Sequence, residues 1–394
     1  MTMTQERLVP NASTKQWLWT LTIITSLLLG LGIGQLAQFH SATAEAEDGA
    51  LSQFAADLDA LQAEHKKIQT KWRTELLAQI VPTLADESSR VKRQYVDFLE
   101  EIGNSGTAAL VDLLQDPSKR VREEAVEALG EIGENERKAG RNYDAAAIGL
   151  AGALTDASND VFREAVAELG DVRPTSAESL AFVVPALIVA QTKGSSSARD
   201  DVLDVLGQIG EDLVKKGEAT DTIRDALIVG LNDGSSKVRT NAIAELSDIR
   251  AASTETFTAL IDALLDDSKS VRNRAEDALI KLGRGHAVTI TPLLADVLTD
   301  SQSVGARGHV VDVLGEIGED LIKNGDSGEI VVKQLLIALH DTDADVRRNA
   351  ADELGKMRAK SPEAITGLTQ ALKDNSKAVR SAAQKAIQRI EKAK

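Results

Sequence analysis

The sequence contains no cysteine. That excludes disulfides, thiolate metal sites and a cysteine nucleophile, and it is compatible with an oxidising compartment without requiring one. Aromatic residues are scarce, at 3% of 394 residues, although hydrophobic residues make up 43%. A core must therefore be built from Leu, Ile, Val and Ala, which suits thin helical layers better than a thick sheet core. The five histidines (His40, His65, His286, His309 and His340) are scattered, with no His-x-x-x-His pair for a metal. No acidic stretch has the ligand spacing of a calcium loop, and no Gly-rich phosphate loop or Ser–His–Asp arrangement stands out. Positive charge is also short: 45 Lys and Arg stand against 61 Asp and Glu, a net charge of −16. This balance argues against nucleic acid or an anionic membrane surface as the main partner. No enzyme, metal or cofactor is expected.

One long uncharged run is present. Trp17–Phe39, WLWTLTIITSLLLGLGIGQLAQF, holds no charged side chain. About 20 apolar residues cross a bilayer as a helix, and Trp17 and Trp19 sit where an interfacial belt would be. Arg7 and Lys15 precede the run, and Glu45, Glu47 and Asp48 follow it. The positive-inside rule then leaves residues 1–16 in the cytoplasm, 17–39 in the membrane and the rest outside, in a bacterial periplasm or its equivalent. The alternative is cleavage near Ala44, because Ala42-Thr43-Ala44 fits an A-x-A site and would release a secreted, soluble protein. Residues 40–74 form a linker. Within it Leu51, Phe54, Leu58, Leu61, His65, Ile68 and Trp72 recur at spacings of three and four. These heptads predict an amphipathic helix, serving as a cap on the following array or as a coiled-coil stalk that makes an oligomer.

From residue 75 to 394 the chain is periodic. DPSKRVREEAVEALGEIG starts at Asp116, DGSSKVRTNAIAELSDIR at Asp233, DSKSVRNRAEDALIKLG at Asp267, DADVRRNAADELGKMR at Asp343 and DNSKAVRSAAQKAIQRI at Asp374. An apolar helical stretch such as AALVDLL (108–114) precedes each phrase, so the unit is helix, turn, helix. Successive Val-Arg pairs, such as Val238-Arg239 and Val271-Arg272, recur with the period of a helical solenoid. Two residues after the turn aspartate stand Ser88, Ser118, Ser158, Ser235, Ser268, Asp343 and Ser376, each expected to cap the second helix. Val121, Ala125, Ala128, Leu129 and Ile132 then form a stripe that one repeat cannot bury alone. Glycines of the LGEIG phrase are read as lying at helix ends.

These phrases resemble the HEAT-repeat family, in particular its short bacterial, phycobilisome-lyase-like form. The resemblance implies an all-α, right-handed solenoid of about nine helical hairpins. It also implies a hydrogen-bonded ladder, in which Asp116 and Arg122, Asp233 and Arg239, Asp341 and Arg347, and Asp374 and Arg380 pair within or between repeats, with Arg272 in the same register. The sequence departs from the pattern at Phe162, which replaces the arginine, and around 195–199 and 303–308, where the turn aspartate is lost or displaced.

A second, longer period lies over the first. DVLGEIGEDLIKNG (312–325) repeats DVLGQIGEDLVKKG (204–217), and at the same constant offset three repeats, 198–286, recur as 306–394. The first repeat of each copy has a second helix about two turns longer than usual, with Gly217 or Gly325 where a C-terminal cap needs positive φ. A third version ends at Gly140. Such repetition is architectural.

A scaffold offering its surface to a protein partner with basic patches is the function these features favour. A tetrapyrrole lyase or chaperone, the other role the resemblance implies, conflicts with an exported topology and with so few aromatics; pigment absorbance of the purified protein would reveal it. Candidate partner-binding residues are Phe162, Tyr143, Phe182 and Trp72, because interface anchors are enriched in aromatics. Phe162 stands where other repeats carry arginine and centres the expected footprint.

Overall fold

The structure is a computed structural model, and it describes residues 89–392 together with Ala60 and Lys67. The run at 17–39, the 40–74 linker with its 51–72 heptads, Trp72 and Ser88 lie outside the described residues. Among those described there are seventeen α-helices and no strand. They are α1 (Ser89–Glu101), α2 (Thr107–Leu113), α3 (Lys119–Lys138), α4 (Asp144–Ala153), α5 (Asn159–Val172) and α6 (Ala177–Ala190). Next come α7 (Ser196–Lys216), α8 (Asp221–Gly230), α9 (Ser236–Asp248), α10 (Thr254–Ala263), α11 (Lys269–Gly283) and α12 (Ala287–Asp300). The series ends with α13 (Val304–Lys323), α14 (Glu329–Ala338), α15 (Ala344–Lys356), α16 (Pro362–Ala371) and α17 (Lys377–Lys392).

Each odd-numbered helix carries the Val-Arg phrase or its variant (Val91-Lys92, Val161-Phe162, Ala198-Arg199, Ala306-Arg307) and packs on the odd helices before and after it; the even-numbered helices form a second row in the same way. Two rows with a shared core between them are what the apolar stripe requires. Val121, Ala125, Leu129 and Ile132 of α3 are buried, as are Val238, Ala242 and Leu246 of α9. Phe257 of α10 is fully enclosed. The longer helices are as the sequence predicts: α7 has 21 residues and α13 has 20, against 13 in both α9 and α15. Gly217 stops α7 at φ 73°, a conformation costly for a residue with a Cβ.

Two local expectations are corrected. The LGxIG glycines lie inside α3, α7 and α13 rather than at their ends. Gly133, Gly210 and Gly318 face the C-terminal end of the next odd helix, at Val172 of α5 and at Ile249 and Met357 just after α9 and α15, and a Cβ on Gly210 would stand 2.7 Å from Ile249 Cγ2. Their lack of a side chain lets neighbouring helices approach. The second correction concerns caps. Ser118, Ser158, Ser235 and Ser268 make no side-chain cap. The turn aspartate two residues earlier instead binds the serine's own backbone: the N–H groups of Ser118, Ser158, Ser235 and Ser268 donate to Asp116, Asp156, Asp233 and Asp266 at 2.6–2.8 Å. Where that aspartate is missing, serine does cap: Ser195 accepts from Ala198 N–H and Ser303 from Ala306 N–H. Asp343 caps as expected, accepting from Asp345 and Val346.

Candidate functional site

The ladder residues divide their bonds between two repeats. Within a repeat the arginine donates to the main-chain oxygen of its own turn residue: Arg122 to Asp116 (2.9 Å), Arg239 to Asp233 (2.8 Å), Arg347 to Asp341 (2.8 Å) and Arg380 to Asp374 (2.7 Å). Between repeats it grips the next turn's carboxylate with both Nε and Nη2. Arg122 reaches Asp156 at 2.6 and 3.0 Å, Arg239 reaches Asp266 at 2.7 Å twice, and Arg347 reaches Asp374 at 2.8 and 3.0 Å. Arg199 to Asp233 and Arg307 to Asp341 complete the set, and Lys92 stands in at 2.6 Å from Asp116. The sequence reading missed Lys92, Arg199 and Arg307 because the turn residue six positions before each lacks the expected pattern or lies outside a clear phrase. These guanidiniums hold Asp156, Asp233, Asp266 and Asp374 below the usual carboxylate range. Arg272 differs: it bonds only the main-chain oxygens of Asp266 and Asp267, because Ser301 occupies the acceptor position.

A second set of carboxylates has the opposite environment. Glu168 lies over Gly130, Glu245 over Gly207 and Glu353 over Gly315, each filling the space a Cβ would take on the preceding long helix. Burial pushes all three up to about 7. Around Glu168 stand Glu164, Asp171, Glu127 and Glu131; around Glu245 stand Asp204, Asp248, Glu211 and Asp200, and these like charges raise it further. Glu353 differs in accepting from Lys356 Nζ at 2.6 Å.

Along α1, α3 and α5 these acids merge into one ridge. Glu100 is pushed up to about 7 by burial, by a shared hydrogen bond with Glu131 and by Asp97 and Glu127. Asp97, Glu100, Glu127, Glu131, Glu164, Glu168 and Asp171 face one another across three consecutive helices. None of the seven forms an ion pair among the described residues. The C-terminal end has the reverse sign: a cavity of about 410 Å³ is lined by Lys356, Arg358, Arg389 and Lys392 with Gly355 and only one acid, Glu319. Sequence periodicity fixes which residues face outward but not which repeats leave their charges unpaired, so it found neither feature.

The aromatic candidates separate. Phe162 is buried, with 4% of its surface exposed. This overturns its reading as a surface anchor. Having no guanidinium to extend to the next turn, it folds inward, with its Cε1 3.8 Å from where a Gly194 Cβ would be. Tyr143 is half-buried and its hydroxyl lies 3.4 Å from Thr175 Oγ1. Phe182 is the exposed one, at 58%, on α6 in the even-numbered row. No group of three or more His, Asp and Glu side chains converges as a metal site among the described residues.

The description "HEAT repeats" matches residues 77–170 and 332–394. Similar solved structures include an engineered protein, at 20% identity and a TM-score of 0.31, covering 79% of this chain and 98% of that one. Importin beta aligns at 17% identity and 0.47, with 98% of this chain and 54% of that chain covered. Kap95p, in a structure of its binding to RanGDP, aligns at 17% and 0.41, with 97% and 53% covered. This chain therefore spans about half the length of those two. No curated protein matches. Structural likeness this distant adds little to the repeat match and the paired helices themselves. The two matched segments lie at the two ends of the run of helical pairs, and there the chain matches HEAT repeats.

Proposed function

We propose that the chain is a membrane-tethered, extracytoplasmic scaffold that holds a protein partner with a basic surface on the ridge of α1, α3 and α5. The observation that carries this reading is the row of seven carboxylates that form no ion pair among the described residues. Such a row is costly to keep in the free protein, because like charges a few ångströms apart repel and some must stay protonated near neutral pH. A partner bringing Lys and Arg side chains relieves that repulsion, and the net charge of −16 steers its approach. Residues 17–39 support the tether, since an uncharged run flanked by basic residues on one side and acidic ones on the other has the form of a single span. A partner footprint on the even-numbered row at Phe182 would be a different surface.

Crosslinking in intact membranes followed by purification tests both halves. The expected product is a protein partner whose capture falls steeply as salt rises from about 50 to 500 mM, since screening acts on exposed charge pairs. Capture that ignores salt but is abolished by Phe182→Ala would overturn the ridge. The tether predicts an N-terminus at or near Met1 in the membrane fraction; a soluble product starting at Glu45 would remove the tether and leave the ridge standing.

A further inference from the structure

Eight junctions join successive odd-numbered helices from α1 to α17, and six are closed by a ladder bond. The two that are not are α5 to α7 and α11 to α13. At the first, both partners are replaced, by Phe162 and Lys193; at the second, Arg272 remains but faces Ser301. Ser301 spends its hydroxyl on the Ser303 N–H at 3.1 Å. Independently, these same two pairs are the most sparsely packed of all the odd-helix pairs. A third feature coincides. The even helices crossing these points, α6 and α12, have 14 residues where α4, α8, α10, α14 and α16 have 10, and both contain an internal proline, Pro185 and Pro292. An internal proline removes a helix hydrogen bond and makes bending easier. The even row nevertheless stays packed across both points, α4 on α6 and α10 on α12.

We infer that the array consists of three ladder-bonded blocks, whose odd helices are α1–α5, α7–α11 and α13–α17, and that it flexes at the two junctions without a ladder bond, where Arg173–Asp212 at the first and His309–Glu276 with Arg284–Glu316 at the second are the remaining ion pairs, by opening the odd-helix edge about the even row. Lys193 and Ser301 are equivalent under the offset of the duplication, and each duplicated segment begins just after a joint. The unit copied in the sequence is thus the unit that moves. Nearest-neighbour coupling in a solenoid makes this possible, because each junction sets its own stiffness. Hinges formed at a few element boundaries are a known way for packed units to move.

Because the chain has no cysteine, paired labels can be placed cleanly. Lys215→Cys with Lys323→Cys puts spin labels on equivalent exposed positions of α7 and α13, across the second joint; Lys323→Cys with Lys385→Cys stays within the last block. The distance distribution across the joint is expected to be about twice as wide as the one within the block. Adding Ser301→Asp supplies Arg272 with a carboxylate and should narrow the wide distribution; Arg272→Ala on that background should widen it again. Equal widths in the unsubstituted array would overturn the joint, and so would a narrowing by Ser301→Asp that survives Arg272→Ala. If Ser301→Asp did not fold, the comparison of the two widths in the native array would still decide.

Discussion

Asp233, in the turn before α9, and Glu245, within that helix, answer to pH in opposite directions. Asp233 is held below its usual range by Arg199, so its contribution is present above the unfolded carboxylate pKa and is lost as pH falls through the folded value. Glu245 is raised to about 7, so between about 4.5 and 7 the unfolded chain ionises while the folded one keeps its proton. Fewer protons on the unfolded state means that stability falls as pH rises through that window. Glu168 and Glu353 act in the same sense. The protein should be more stable near pH 5 than near pH 8. Glu245→Gln should remove on the order of 1 kcal/mol of that fall, read from urea midpoints at the two pH values; an unchanged difference would mean the carboxyl ionises freely. The ladder allows a second comparison. Arg239→Ala strips a half-buried bidentate pair and should cost about 2 kcal/mol. Arg272→Ala loses only main-chain bonds and should cost less than about 1 kcal/mol. Equal losses would show that the inter-repeat carboxylate adds nothing.

At the scale of elements, the sequence told helix from turn well and close approach poorly. The Val-Ala-Leu-Ile stripe, the long α7 and α13 and the positive-φ Gly217 and Gly325 were legible because each follows from period or from backbone sterics. The LGxIG glycines were misplaced because a glycine ending a helix and one admitting a neighbour look alike in one dimension. Phe162 was misread for a related reason: losing an arginine says a ladder bond is gone, not whether the replacement turns inward. The capping serines were misread because the turn aspartate binds the serine's own N–H, two residues after it, rather than the helix N–H groups a serine cap would meet. The glycines now differ in what they predict. A Cβ on Gly355 would stand 2.6 Å from Ala386 Cα, which is backbone and cannot step aside. Gly355→Ala should cost about 2–3 kcal/mol as α15 and α17 are forced apart. A Cβ on Gly207 meets the carboxyl end of Glu245, which can swing to solvent, so Gly207→Ala should cost less than about 1 kcal/mol. Thermal midpoints of the two variants check the order, and the reverse order would contradict this packing.

At the scale of the whole molecule, charge is divided where composition shows only its sum. The net −16 is legible in the sequence, but the ridge of α1, α3 and α5 and the cationic cavity near α15 and α17 emerge only when the helices are stacked. The scaffold reading therefore depends on where the charge sits rather than how much there is. Two double charge reversals with the same net change separate these. Glu127→Lys with Glu164→Lys alters exposed positions on the ridge, and Asp277→Lys with Glu391→Lys alters exposed positions on odd-numbered helices of the later blocks. Affinity for the crosslinked partner, measured for both at one ionic strength, is the most direct test. The ridge variant should bind at least about ten-fold more weakly than the native chain, the equivalent of about 1.4 kcal/mol, with the other variant within about two-fold of it. Equal losses in the two variants, or a loss confined to the later blocks, would contradict the account.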